Sequence, residues 1–196
     1  MPKPAARFIR LPAADRRAAL IGAALACMAE GGITAFTVDR ISTRAGVSRG
    51  LITHHFGGMA GLLAATYAEL YAQVIPTADS LPPEASRLDA LLDALFAPEF
   101  FNRPALNMWL TLWGAIANTP ELTTEHRLQY SRYIKMVAGI IAERAPDSTH
   151  APTLARTFIC LVDGLSLQHC IDPPSMPAAA ARQACVDFLS PHLAPR

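Results

Sequence analysis

Residues 37–56 read TVDRISTRAGVSRGLITHHF, and their spacing sets two short helices at a fixed angle across a three-residue turn. Thr37 has the hydroxyl of a helix N-cap, and Asp39 falls in the first turn, where a carboxylate meets the positive end of the helix. Val38, Ile41 and Ala45 recur at intervals of three and four and form the inward face. Gly46 is the residue that most easily turns left-handed at a helix end, and Val47 plugs the angle between the two helices. Ser48 is the expected cap of the second helix. Leu51, Ile52 and Phe56 face inward, while Arg49, Gly50, Thr53 and His54 stay on the outer side and toward the leading end. In a helix-turn-helix those outer positions meet base edges and phosphates.

The outer residues have the chemistry for that task. An arginine donates two hydrogen bonds to guanine, worth about 1–3 kcal/mol of discrimination, so Arg49 is the candidate base reader, with phosphate binding as its alternative role. Thr53 offers a hydroxyl and a methyl that fits thymine, and His54 donates to a phosphate or a base nitrogen. Gly50 within a helix costs about 1 kcal/mol relative to alanine; close approach of its backbone to DNA or to the neighbouring helix accounts for it.

Thr37, Ile41, Ala45-Gly46-Val47-Ser48, Gly50, His55-Phe56 and Leu62-Leu63 occur in order and without gaps. This pattern resembles the DNA-binding signature of the TetR family of bacterial regulators. Thr53-His54-His55 and the following Gly61 to Thr66 are most similar to its BetI-like branch. The resemblance covers roughly the first third of the chain in motif and the remainder in helical layout. It implies that Thr37 and Arg44 lie near phosphates and that His55 meets a phosphate at the far end, unless it is partly packed. It also implies that the helix from Met59 to Val74 is a lever between a DNA-binding head and an effector-binding body. Met59 departs from the family pattern, which commonly has a phosphate-contacting lysine there; the free amides at that helix N-terminus still attract phosphate.

The charge distribution agrees with a basic head. Residues 1–56 hold eight basic and three acidic side chains, net +5, whereas residues 57–196 hold nine and thirteen, net −4. Phosphate neutralisation by lysine and arginine supplies most of the non-specific affinity for DNA. The 196 residues are 52% hydrophobic and 17% charged, enough for a substantial core. No uninterrupted apolar run reaches the roughly 18 residues of a bilayer span, and the first twelve residues lack the apolar block of a secretory signal, so no membrane partner is expected and a cytoplasmic location is. Cys27, Cys160, Cys170 and Cys185 have no CxxC spacing, and no histidine pair has an HxxxH spacing; neither a metal nor another cofactor is expected.

The chain is read as all-α, with about nine helices: a three-helix head over 1–56, a connecting helix within 57–75 and a larger helical body over 76–196. Met1 to Pro12 is an expected flexible basic arm, Asp15 to Glu30 the first helix, and Thr77 to Pro83 a loop. Helices follow over Glu84 to Phe96, Arg103 to Asn118, Glu121 to Arg144, Thr153 to Ile171 and Pro177 to Leu189, punctuated by prolines. Phe158, Ile159, Leu161, Val162, Leu165 and Leu167 cover most of their helix circumference, which calls for a partner surface. The resemblance implies a homodimer joined by the last two helices in a four-helix bundle, with Phe158, Leu161, Val162, Leu165, Val186 and Leu189 as seam residues. A twofold pair matches a palindromic double-stranded DNA operator with half-sites about 34–36 Å apart, or a multiple of that.

The body is, by the same resemblance, a small-molecule sensor. Phe100, Phe101, Asn107, Met108, Trp109, Trp113, Tyr130, Phe158 and Asp163 are the aromatic and polar residues suited to line its cavity. Two tryptophans one turn apart and an acid on an apolar helix suit a quaternary ammonium ion, and the BetI-like branch implies choline. Asp163 alternatively hydrogen-bonds across the dimer seam. The reading is thus a repressor released from its operator by a small ligand, with activation as the alternative. An enzyme finds no support: there is no Gly-rich phosphate loop, GxSxG elbow, HExxH or paired carboxylates on an apolar helix face. A helical interaction protein leaves the basic head unexplained.

Overall fold

The computed structural model describes residues 12–74, 87–145 and 148–193, and among these all regular structure is helical. The α-helices are α1 (Ala13–Gly31), α2 (Val38–Ala45), α3 (Gly50–Phe56), α4 (Met59–Val74), α5 (Arg87–Leu95), α6 (Arg103–Ile116), α7 (Pro120–Ala142), α8 (Ala151–Ile171) and α9 (Ala178–Leu189). Short 3-10 turns occupy Gly32–Ala35, Ser148–His150 and Ser190–His192. The arm expected before Pro12 and the loop expected over Thr77 to Pro83 lie outside the described residues.

The local signals of the two-helix unit act as their chemistry requires. Thr37 has extended dihedrals and accepts a bond from the Arg40 amide at 3.3 Å. Gly46 is left-handed at φ 66°, and its amide reaches the Thr43 carbonyl at 3.2 Å while that of Val47 reaches Ser42 at 3.0 Å. That paired closure satisfies two carbonyls at the end of α2 and sets the exit angle toward α3. Ser48 does not cap through its side chain. Its carbonyl accepts from the Leu51 amide at 3.1 Å, a tight first turn in which the hydroxyl has no role.

Leu20, Ala24, Cys27 and Met28 of α1 are buried, together with Ile41 of α2 and Ile52 of α3. Leu62, Tyr67 and Leu70 continue this core along α4, which runs from the head into the body and packs on α7. By composition alone, Ala13–Ala35 is long and apolar enough to cross a membrane. In the fold, the apolar side of α1 is instead the spine of the core, covered by α2, α4 and α6.

In the body, α7 and α8 form the most extensive helix pair, and α9 packs on α8. Asn102 opens α6 as a three-way clasp: its carbonyl accepts from Ala105 at 2.9 Å, and its amide donates to Pro98 and Glu99 at 2.8 and 2.9 Å. Pro104 and Pro120 occupy the first turns of α6 and α7, where a missing amide proton costs nothing. The short α5 is tied to its neighbours by Arg182–Asp93 at 2.7 Å and Arg87–Glu143 at 2.9 Å.

Four of the six expected seam assignments change. Phe158 and Leu189 are fully buried within one chain, and Val162 and Leu165 are nearly so, because α7 and α9 already cover that side of α8. The uncovered strip of α8 runs through Cys160, Gly164, Leu167 and Ile171, of which Leu167 is 38% and Ile171 66% exposed. Leu161 and Val186 are half-buried.

Candidate functional site

The outer surface of α2 and α3 gathers Thr37, Arg44, Ser48, Arg49, Gly50, Thr53 and His54, all exposed. A side chain added at Gly50 would meet open space, so packing against a neighbouring helix is not the reason for that glycine. The arginines here are not free. Arg49 Nε pairs with Asp39 at 2.9 Å, and Arg44 pairs with Glu30 at 2.7 Å, with Arg40 at 4.0 Å from the same carboxylate. Such exposed pairs are weak, about 0–1 kcal/mol, so they orient the guanidiniums and yield to a stronger anion. Arg40 and Arg44 of α2 and Arg49 just ahead of α3 are thus all held in ion pairs on this surface.

His55 is placed differently from His54. It is half-buried, and its Nε2 is enclosed without a hydrogen-bond partner. Burial, followed by the charges of His54, Arg16 and Arg17, holds its pKa below the ordinary value. Arg17 lies over the Phe56 ring at 5.2 Å, so the end of α3 is clamped to α1. Met59 is half-buried and packs on the core, which gives the lysine position of the family an apolar packing role here. Gly61 has no room for a side chain: a Cβ there would collide with the Phe56 carbonyl oxygen. The close approach of α4 to the end of α3 requires glycine.

In the body, a cavity with about 60 Å³ of interior space is lined by Tyr71, Leu95, Phe100, Phe101, Leu106, Trp109, Trp113, Tyr133, Ile159, Val162, Asp163 and Ser166. Of the residues expected here, it brings together Phe100, Phe101, Trp109, Trp113 and Asp163. The rings form a continuous wall: Trp109 stacks on Trp113 at 5.9 Å, Tyr71 meets Trp109 edge-on at 5.1 Å, and Tyr133 lies 6.4 Å from Tyr71. Among the described residues, Asp163 is the single acid in that wall, and no basic side chain lines it. Desolvation pushes its carboxyl up to about 7.

Asn107, Met108, Tyr130 and Phe158 do not line this cavity. On α6 the lining residues are Leu106, Trp109 and Trp113, so Asn107 and Met108 point round the helix from it. Asn107 faces a separate notch of about 360 Å³ beside Gly32 and Ile33, and accepts a weak bond from the Cys170 thiol at 3.7 Å. Tyr130 stacks on His126 and its hydroxyl contacts Cys160 at 3.8 Å. Phe158 is enclosed in the core. Tyr71, Tyr133 and Ser166 are the polar lining residues missed from sequence. Tyr71 lies on α4 and reaches the body only through the tertiary path of that helix.

The fold and this surface define a class: a helix-turn-helix DNA-binding transcriptional regulator with a helical body. Residues 20–66 match the family model described as bacterial regulatory proteins, tetR family, and residues 82–194 match that described as BetI-type transcriptional repressor, C-terminal. The chain belongs to the TetR family. It is 32% identical to the HTH-type transcriptional regulator BetI 2 of Chromohalobacter salexigens over 182 residues, 89% of this chain and 86% of the relative. It is 31% identical to the regulator BetI of Serratia proteamaculans, over 89% of this chain and 91% of that one. Among solved structures, a transcriptional regulator from Pseudomonas aeruginosa PAO1 superposes with a TM-score of 0.78 at 29% identity, over 94% and 93% of the two chains. A regulator from Saccharomonospora viridis, solved in complex with choline, shares the fold at a TM-score of 0.69 and 19% identity, over 93% of this chain and all of that one.

Proposed function

We propose that the chain is a cytoplasmic, non-enzymatic repressor that binds a palindromic operator as a homodimer and releases it when a small quaternary ammonium ion of the choline type enters the body. The observation that carries the ligand is the aromatic wall closed around one unpaired carboxylate. Ring faces attract a desolvated cation by about 0.5–2 kcal/mol each, and Asp163 supplies the opposite charge that the wall otherwise lacks. The choline complex of the Saccharomonospora viridis regulator supports the same ligand class.

In this reading, Arg49, Thr53 and His54 read bases, while Thr37, Arg44 and Ser48 fix the head on phosphates and Gly50 admits the close approach. The cavity wall includes α4 and α6, and both also pack on α1. A ligand that prefers a wider separation of Tyr71 from Trp109 therefore shifts the head, and its effect on operator affinity equals its differential affinity for the two arrangements. The seam is assigned to the outer strips of α8 and α9, through Cys160, Gly164, Leu167 and Ile171, with Leu161 and Val186 at its edge.

Selection of bound duplexes from a random pool supplies the operator, and its affinity is then measured with and without choline alongside tryptophan fluorescence. Release of the duplex with a fluorescence change is expected. Choline that alters neither removes the ligand assignment, and DNA binding that does not weaken steeply with salt removes the phosphate contacts.

A further inference from the structure

Buried hydroxyl groups in folded proteins find partners, and the other enclosed or half-enclosed tyrosines of this body do so. Tyr67 bonds the Nδ1 of His126 at 2.7 Å, Tyr71 pairs its hydroxyl with that of Tyr67, and Tyr130 meets the Cys160 sulfur at 3.8 Å. Tyr133 is the exception. It is 6% exposed, its hydroxyl is enclosed without a hydrogen-bond partner, and it lines the aromatic cavity. It stands on α7, whereas Asp163 stands on the packed neighbour α8, so one small molecule in the cavity meets both.

We propose that Tyr133 is the specificity-determining residue of the cavity, hydrogen-bonding an oxygen that the cationic ligand carries close to its charged end. The inference rests on the ammonium reading above and narrows it. Asp163 and the rings select for charge and bulk, which any small alkylammonium ion satisfies. Tyr133 then separates ions that bear a hydroxyl or carbonyl oxygen from those that bear only alkyl groups. The physical reason is the asymmetry of buried hydrogen bonding: an apolar group set against the hydroxyl leaves it unpaired, or displaces a water without replacing its bond. The same hydroxyl costs the ligand-free fold something, which is tolerable in a site built to receive a partner.

The test uses the full-length protein, two probes of equal charge and nearly equal shape, and two forms of the chain. Choline and propyltrimethylammonium differ only by a hydroxyl in place of a methyl group. Each is titrated by tryptophan fluorescence into the wild type and into Tyr133→Phe, with a thermal melt of both forms. The expected result is that the wild type binds choline about tenfold more tightly than propyltrimethylammonium. Tyr133→Phe then binds the two within about twofold of each other, with propyltrimethylammonium affinity unchanged and an equal or higher melting temperature. Equal binding of both ions by the wild type overturns the proposal, as does a Tyr133→Phe form that still discriminates or that weakens both ions alike. Those failures leave the cation reading standing. Binding of neither ion by the wild type overturns the cation reading, and this proposal with it.

Discussion

At the scale of single residues, the ion pairs of the head have a directional consequence. Asp39 holds Arg49 at 2.9 Å, so it competes with any base or phosphate for that guanidinium. Asp39→Asn removes the competitor and one repulsive charge, and is expected to tighten binding to random duplex DNA more than binding to the operator, lowering the ratio of the two. Arg49→Ala is expected to weaken operator binding at least about tenfold and to relax sequence preference. Fluorescence anisotropy with both duplexes at one salt concentration checks each. Asp163 carries the second residue-scale prediction. Its carboxyl sits at about 7 in the fold against 3.8 ordinarily, because burial penalises the charged form. The unfolded chain therefore loses its proton first, and the contribution of this group to stability falls as pH rises from about 4 to about 7. Asp163→Asn is expected to abolish that slope in thermal melts across the window. A cation prefers the carboxylate, so choline affinity is expected to be about tenfold weaker at pH 6 than at pH 8. What was legible in the sequence at this scale was whatever short-range chemistry dictates: the Thr37 cap and the left-handed Gly46 each need only three or four neighbours. Ser48 failed by the same standard, since a serine before a helix signals a cap but does not compel its side chain to make one.

At the scale of elements, the helix boundaries followed from period and proline, while the sides of the helices did not. Leu106, Trp109 and Trp113 share one face of α6, and only the assembled body shows that this face, rather than that of Asn107, meets the cavity. An apolar helix such as α8 offers too little contrast round its circumference to say which side its own chain covers. Phe158 and Leu165 therefore passed for seam residues, although α7 and α9 enclose them. The join between α3 and α4 yields an element-scale prediction. Gly61→Ala drives a methyl carbon into the Phe56 carbonyl oxygen, so the end of α3 must leave its seat on α4. Operator affinity is expected to fall at least about tenfold, while choline binding by the body is unchanged; isothermal titration of both ligands measures the pair of effects.

For the whole molecule, the exposed strip of Leu167 and Ile171 is what α8 has left after its own core is filled. Ile171→Asp places a charge where a twofold partner would bury it, and is expected to convert a dimer to monomers in sedimentation velocity. Operator binding is expected to fall at least about a hundredfold, because one recognition helix then acts without the second. Monomers that still footprint the full operator remove the twofold reading. The cavity and the head are joined through few elements: α4 runs from head to body, and α6 backs onto α1 while its tryptophans line the cavity.

The glycine-sized contact between Phe56 and Gly61 also sets where the protein can be cut and rejoined. A chimera that takes its reading head from a relative must carry the donor sequence past residue 61, because a splice at the loop before α4 would mate a foreign carbonyl with a helix shaped for another. Grafts made beyond that point should transplant operator choice intact onto this sensor, and those made before it should be deaf to both.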